Sequence, residues 1–386
     1  MVKAGIGTSS LPGGSDAASE AATMALASLG AGRPGLLVVF SSVSYQLDEV
    51  VAAVRRVGGQ VPLVGATSAG QIFQGQLIPV GAGVVVAALG TERQFTVASV
   101  SGLRADPYQA GMVLARAALE SAGTAPTSQD ALLLFADGLA GDHQQLVRGI
   151  YRVAGPAVPV VGAAASDDRI LRRTSVFRDD QVLSDAAVAV LIRGTEQPGI
   201  GFGHGWRPQG DPMVVTRVRG SVVVELDGRP AAEVYMSALD ALGQPRSEIR
   251  FATAALDHPL GILQPDGNFS VRSLLRLTEE GGIAAFAGLP ELAVVHVMTT
   301  DVGSLLQGAE GVVDSALAAG DDPALVLAFS CVARYDILGP EVAAEALGVQ
   351  KAAGEVPTVG FYTYGEFART RGVIGFHNAT MTALAL

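Results

Sequence analysis

The stretch "GLLVVFSSVSYQLDEVVAAVRRVGGQVPLVGATSAG", residues 35–70, reads as strand, helix and strand in succession. A near-continuous apolar run ends at Phe40, as buried parallel strands do. Val50, Val51, Val54 and Val57 then recur at helical spacing. Pro62 opens a second apolar run at a first position, where a missing N–H is tolerated. Gly65 is expected to end that run in a turn.

The same pattern occurs twice more. Residues 131–167 read "ALLLFADG…VPVVGAAASD", and residues 324–365 read "ALVLAFSC…VPTVGFYTYG". Each copy has an apolar strand ending in Phe (Phe40, Phe135, Phe329) and a later V-P-x-V-G (Gly65, Gly162, Gly360). The Phe-to-Gly lags are 65 − 40 = 25, 162 − 135 = 27 and 360 − 329 = 31. A further strand follows each copy. Between the second and third copies lies β-hairpin-rich sequence, with D-G and P-D-G turn signals. An amphipathic helix over 301–320 leads from it into the third copy. The expected fold is α/β: a two-part mixed-sheet architecture with a β-α-β unit repeated three times and a hairpin-rich insertion. The Gly/Pro stretch "RGTEQPG" suggests domains at 1–198 and 199–386.

The chain has 386 residues, 49% of them hydrophobic, which suffices for a large core in two domains. Net charge is −11, and no basic run reaches four residues. Such a chain is a poor partner for nucleic acid or anionic membrane. Its arginines are better suited to specific anion or carboxylate contacts. The longest run free of both charge and strong polarity, residues 77–90, holds Pro79 and three glycines and falls short of the roughly 20 residues of a membrane span. No secretory leader is apparent, so a cytoplasmic location is expected. One cysteine, Cys331, allows neither a disulfide nor a thiolate zinc site.

In β-α-β units ligands gather at the carboxyl ends of strands. Those ends carry Ser41-Ser42, Asp137 and Ser330-Cys331 after the first strands, and "ATSAG", "AAASD" and "FYTYGE" after the second. The third copy thus replaces small residues with Phe361, Tyr362, Tyr364 and Glu366. "LVVFSS…VPLVGATSAGQI" resembles the N-terminal half of the FIST domain. "HGWRPQGDPMVVTRVRGSVVVELDGRPAAEVY" and "FSCVARYDILG…VPTVGFYTYGEF…FHNATMTAL" resemble its C-terminal half. The resemblance spans nearly the whole chain. It implies a sensory domain for a small ligand such as an amino acid, signalling through a separate partner or through its own assembly as a homodimer. A subset of similar proteins implies an alternative, a haem-binding nitric-oxide sensor that regulates a histidine kinase.

The candidate ligand site is the tail cluster. Arg334 would take a ligand carboxylate and Glu366 an ammonium, or the two would pair with each other. Tyr362, Tyr364 and Phe361, with Gly360 and Gly365, would line the site. His377 and Asn378 would bracket the loop, and Cys331, Ser41 and Ser68 complete the set. Asp137 and Asp167, with Ser42 and Thr67, would form a more polar face. His204, in "GFGHGWRP", is the candidate axial ligand for haem. "ATSAG" approaches a nucleophile elbow at Ser68, and Cys331 with His377 would make a thiol–imidazole pair, which is a hydrolase alternative. No complete nucleophile–base–orienter set is visible, so binding is expected rather than catalysis.

Overall fold

Each repeat begins earlier in the chain than the motif suggests, with an outer strand and a helix. The first runs β1 (Ala4–Ser9), α1 (Gly14–Ser28), β2 (Pro34–Ser41), α2 (Leu47–Gly58), β3 (Leu63–Thr67), β4 (Gln71–Phe73), β5 (Gln76–Ile78) and β6 (Val84–Gly90). The second runs β7 (Gln94–Ser101), α3 (Pro107–Ser121), β8 (Ala131–Ala136), α4 (His143–Ala154), β9 (Val160–Ala164), β10 (Val176–Arg178), β11 (Gln181–Leu183) and β12 (Ala186–Arg193). The third opens with β13 (Gly199–Gly203) and is then interrupted. The insert comprises β14 (Arg207–Arg219), β15 (Val222–Leu226), β16 (Arg229–Pro230), α5 (Ala231–Ala241), α6 (Phe251–Asp257), β17 (Leu260–Leu263), β18 (Phe269–Arg272), β19 (Leu274–Leu277), β20 (Ile283–Ala285) and β21 (Val294–Thr299). The repeat resumes with α7 (Val302–Ala319), β22 (Val326–Cys331), α8 (Val332–Leu338), α9 (Val342–Ala353), β23 (Thr358–Thr363), β24 (Glu366–Arg369), β25 (Phe376–His377) and β26 (Met381–Ala385). This computed structural model describes residues 3–123, 126–127, 129–243, 251–265, 267–369 and 375–386.

Each repeat builds a six-stranded sheet around its parallel pair: β2 with β3, β8 with β9, β22 with β23. The strand following each pair returns antiparallel. The far edge of each sheet is completed by a hairpin from another repeat. β4–β5 of the first joins β23, β10–β11 of the second joins β3, and β24–β25 of the third joins β9. The exchange is cyclic, so hydrogen-bonded sheets run across the expected division at 198/199.

Alternation along the strands explains their unbroken apolar texture. Leu37 and Val39 pack under their own helices, whereas Val38 and Phe40 point to the shared interior. Leu132 and Leu134 against Leu133 and Phe135, and Val326 and Ala328 against Leu327 and Phe329, divide the same way. At the centre, Phe40, Phe135 and Phe329 meet pairwise at centroid distances of 5.8, 6.1 and 5.8 Å with near-perpendicular rings. Phe361 joins them 4.7 Å from Phe40. The three sheets thus close into a barrel-like frame about a pseudo-threefold axis.

The motif's glycine does not end its strand. Gly65, Gly162 and Gly360 sit within β3, β9 and β23. A Cβ there would lie 1.9, 2.0 and 1.7 Å from the carbonyl oxygens of Val39, Leu134 and Ala328 on the neighbouring parallel strand. Close strand approach, rather than a turn, demands glycine. The proline acts as expected: Pro62, Pro159 and Pro357 precede these strands, and their carbonyls accept the N–H of Leu37, Leu132 and Val326 at 2.8, 2.9 and 3.0 Å.

Phe135→Ala is expected to cost about 3–5 kcal/mol, as deletion of a buried ring does. Because the hairpins are exchanged, urea should still unfold the frame in one transition. Two separable transitions, one per half-chain, would contradict the interlock.

Candidate functional site

Backbone hydrogen bonds link the second-strand ends in a ring around the axis. Ala69 N–H donates to Tyr362 O, Ser166 N–H to Thr67 O and Tyr364 N–H to Ala164 O, at 3.1, 3.0 and 3.4 Å. A second ring runs from Thr67 N–H to Ser175 O, Tyr362 N–H to Gly70 O and Ala164 N–H to Gly365 O, at 3.0, 3.1 and 2.8 Å. Positions 69, 166 and 364 are therefore equivalent, as are 70, 175 and 365. The first and third repeats pass directly between these two positions, whereas the second interposes residues 167–174.

That interposed loop and the insert meet over the end of β22. Between them lies a cavity of about 340 Å³. Cys331, Val332, Ala333, Asp336, Tyr364 and Asn378 form the wall from the frame. Arg169 and Leu171 come from the loop, and Ala252, Ala255, Leu256, Ser273, Leu274, Leu275 and Phe286 from the insert. The neck of the insert is closed by Arg207 Nη1 on Asp301 Oδ2 at 2.8 Å and Thr300 Oγ1 on Gly205 O at 2.9 Å. Arg169 pairs with Asp336 across the cavity wall and lies 5.0 Å over the Tyr335 ring. Burial raises the Asp336 carboxyl above its ordinary value, with Arg169 opposing the shift. Asn378 is buried, and its Oδ1 has no hydrogen-bond partner.

Of the residues singled out in the sequence, Cys331, Tyr364 and Asn378 reach this cavity. Arg334 does not face Glu366 as expected. It is fully buried against Glu345, with Nε 2.8 Å from Oε1, and it also donates to His204 O at 2.6 Å and Leu305 O at 2.9 Å. Ser330 Oγ donates to the other Glu345 oxygen at 2.8 Å. All three guanidinium nitrogens are thus engaged by structural partners. Phe361 and Gly360 belong to the barrel interior and its strand contact. Tyr362 packs under the helices and against Tyr335 at 4.9 Å. Gly365 supplies its carbonyl to the ring of strand ends. Ser68 Oγ accepts from Gln71 Nε2 at 2.7 Å and Ser41 Oγ donates to Ser42 O at 3.1 Å, both in the first repeat. Asp137 is consumed by Thr174, the Leu139 amide and the Asp185 amide. Among the described residues no group of three or more His, Cys, Asp or Glu side chains could hold a metal ion.

Glu366 is buried beside Thr380 and Thr363, whose hydroxyls donate to it at 2.6 and 3.3 Å. Its carboxyl is pushed up to about 8, chiefly by burial, which those hydrogen bonds and the Arg334 charge only partly oppose. His377 donates from Nε2 to Ala368 O at 3.0 Å and stacks on Phe202 at 4.1 Å. Burial, with Arg272 second, lowers its pKa to about 3. Cys331 is a protonated thiol, raised first by burial and then by the Glu366 charge. His204 uses both ring nitrogens: Nε2 meets Phe269 O at 3.1 Å and Nδ1 accepts the Trp206 N–H at 2.9 Å. An iron at either nitrogen would have to break one of these bonds, so this histidine does not fit the axial role.

Arg169, Leu171 and Asp336 were not among the candidates picked out in the sequence. Alignment of the three repeats beyond V-P-x-V-G would have exposed residues 167–174 as the second repeat's addition.

Two outcomes follow. Arg334→Ala should destabilise the fold by about 3–5 kcal/mol, because it strands Glu345 in the core. Glu366 holds a proton in the folded state that the unfolded chain releases near its ordinary value of 4.5. Its contribution is therefore present below that value and lost as pH rises through about 8. Glu366→Gln should raise the melting temperature above pH 8 and leave it nearly unchanged near pH 5. Parallel melting profiles for the two proteins would refute the buried neutral carboxyl.

The model of the FIST N domain matches residues 35–229, and that of the FIST C domain matches residues 231–369. An uncharacterized protein of Mycobacterium tuberculosis is 26% identical over 98% of both chains, and one of Mycobacterium bovis 25% identical over 98% and 97%. An uncharacterized protein of Methanocaldococcus jannaschii is 27% identical over 38% of this chain and 30% of its own. Among solved structures, a cyanuric acid hydrolase from A. caulinodans covers 100% of this chain and 99% of its own at 11% identity and a TM-score of 0.36, too low to transfer fold or chemistry. The chain belongs to the FIST family, whose domains are sensory signalling modules for small ligands.

Proposed function

We propose that the protein is a cytoplasmic sensor whose cavity over β22 takes a small zwitterion such as an amino acid and reports it to a separate signalling protein. The observation that carries this is the Arg169–Asp336 pair, set in a cavity otherwise walled mainly by Ala, Val, Leu and Phe. A ligand carboxylate would take the Arg169 fork. Its ammonium would take Asp336 and the unpartnered Oδ1 of Asn378. An apolar side chain would lie against Leu171, Leu256, Leu275 and Phe286. The Arg169 and Asp336 side chains are 42% and 30% exposed, and such pairs are worth about 0–1 kcal/mol. Opening the pair to admit a ligand with both charges therefore costs little. Binding without turnover is supported by the protonated Cys331 thiol and by His377, whose Nε2 is tied to Ala368 O. No helix of the described residues is long and apolar enough to cross a membrane.

Titration calorimetry with the standard amino acids tests this. One or a few with apolar side chains should bind, and Arg169→Gln and Asp336→Asn should each weaken them by about tenfold or more. Absence of heat from every amino acid at millimolar concentration would overturn the zwitterion assignment. Equal affinity in both variants would overturn the cavity.

A further inference from the structure

The three repeats satisfy the same two rings of backbone hydrogen bonds, and only the second spends eight additional residues between its two positions. The frame does not need them. Asp167 organises the addition. Its buried carboxylate accepts the amides of Ile170, Leu171, Arg172 and Arg173 at 3.0, 3.0, 2.6 and 3.0 Å, and the hydroxyl of Tyr364 besides. Five donors fill the acceptor capacity of a carboxylate. Burial would raise its pKa, but Tyr364 and the loop amides outweigh that and hold it below the ordinary value. Arg169 and Leu171 adopt left-handed backbone, with φ of 64° and 53°. That conformation is unfavourable for non-glycine residues and persists where surroundings impose it. Leu171 is nevertheless 52% exposed and Ile170 54% exposed, so apolar packing does not impose it.

Among the contacts that tether the loop, two reach the third repeat and one the first. Asp167 fastens it to Tyr364 beside the cavity. Asp168 reaches the first repeat, accepting from Ser42 Oγ and Gly81 N–H, each at 3.1 Å. Arg169 reaches the third at Asp336. We propose that residues 167–174 are a latch over the cavity, with Asp167 and Tyr364 as its closing bolt and positioning residues for Arg169. This rests on the cavity being the ligand site. A bound carboxylate would replace Asp336 on Arg169, and the bolt would close again over it. Ligand entry and exit would then require transient release of amides 170–173 from Asp167.

Hydrogen exchange followed by mass spectrometry on the full chain tests the bolt without any ligand. In the wild type, the peptide spanning 168–174 should be protected. Asp167→Asn should speed its exchange about tenfold, since amide bonds to a charged acceptor are replaced by weaker ones. Tyr364→Phe should do so by less, and peptides from β2 and β8 should be unchanged in both variants. Wild-type exchange at the unprotected rate, or equal rates in wild type and Asp167→Asn, would overturn the latch. If Asp167→Asn fails to fold, Tyr364→Phe decides by the same criterion. With L-leucine as the probe, Asp167→Asn should raise association and dissociation rates together by about tenfold, with a much smaller change in affinity. An affinity loss carried by dissociation alone would make Asp167 a contact residue rather than a bolt. Failure of every standard amino acid, L-leucine included, to bind the wild type would count against the zwitterion reading and leave the exchange result to judge the latch.

Discussion

Phe40, Phe135 and Phe329 meet edge to face at the axis, and the architecture depends on that meeting. Three strands can converge closely enough only if their parallel partners lie flush against them. Glycine at 65, 162 and 360 is what allows this, because a single methyl group would collide with a main-chain oxygen. The exchanged hairpins follow from the same geometry. Each second strand would otherwise be an open edge with unpaired amides, and each is covered by a hairpin from another repeat. No repeat is therefore complete alone, which is how three marginal units become one stable frame.

A frame built on equivalence has no reason to place a site at one position rather than another, and function must come from where equivalence is broken. Two breaks matter here. The second repeat adds residues 167–174, and the third expands the short link between β13 and its helix into the insert of β14–β21. β13 runs parallel to β22 through their shared neighbour β26, so the insert emerges at the carboxyl end of β22. The added loop lies at that same end. Both additions meet over Cys331, whereas Ser42 and Asp137, which follow the equivalent strands of the other repeats, bond Asp168 and Thr174 of the added loop.

The repeats, their strand and helix order and the hairpin-rich insert were legible in the sequence, because V-P-x-V-G leaves a distinctive mark wherever strands must touch. The hairpin exchange was not legible, since β4 and β23 are nearly 300 residues apart and nothing local marks the partner. The site was legible in part. Tyr364 stood out as a large residue where the other copies have small ones, and Asn378 as a polar residue at the start of the last strand. Arg334 stood out as a cation suited to a ligand carboxylate, but its partner Glu345 lies on α9, where nothing in the sequence marks it as that partner. Nothing in composition distinguishes an arginine that holds helices together from one that awaits a ligand.

The pairs Arg334–Glu345 and Arg169–Asp336 show what does distinguish them. Arg334 and Glu345 have no exposed side-chain surface; Arg334 also donates to the His204 and Leu305 carbonyl oxygens, and Glu345 also accepts from Ser330 Oγ. Removing either partner would strand a charge in a medium that cannot solvate it, so the pair is not free to exchange. Arg169 and Asp336 retain substantial exposure, and the aromatic face of Tyr335 supports the guanidinium from one side. Water can replace either partner at little cost, and so can a ligand group of matching charge. The same chemistry is thus locked where it carries the junction of frame and insert and loose where it borders the cavity. A sensor needs this difference, because a ligand shifts a conformational balance only through contacts that differ between the two states.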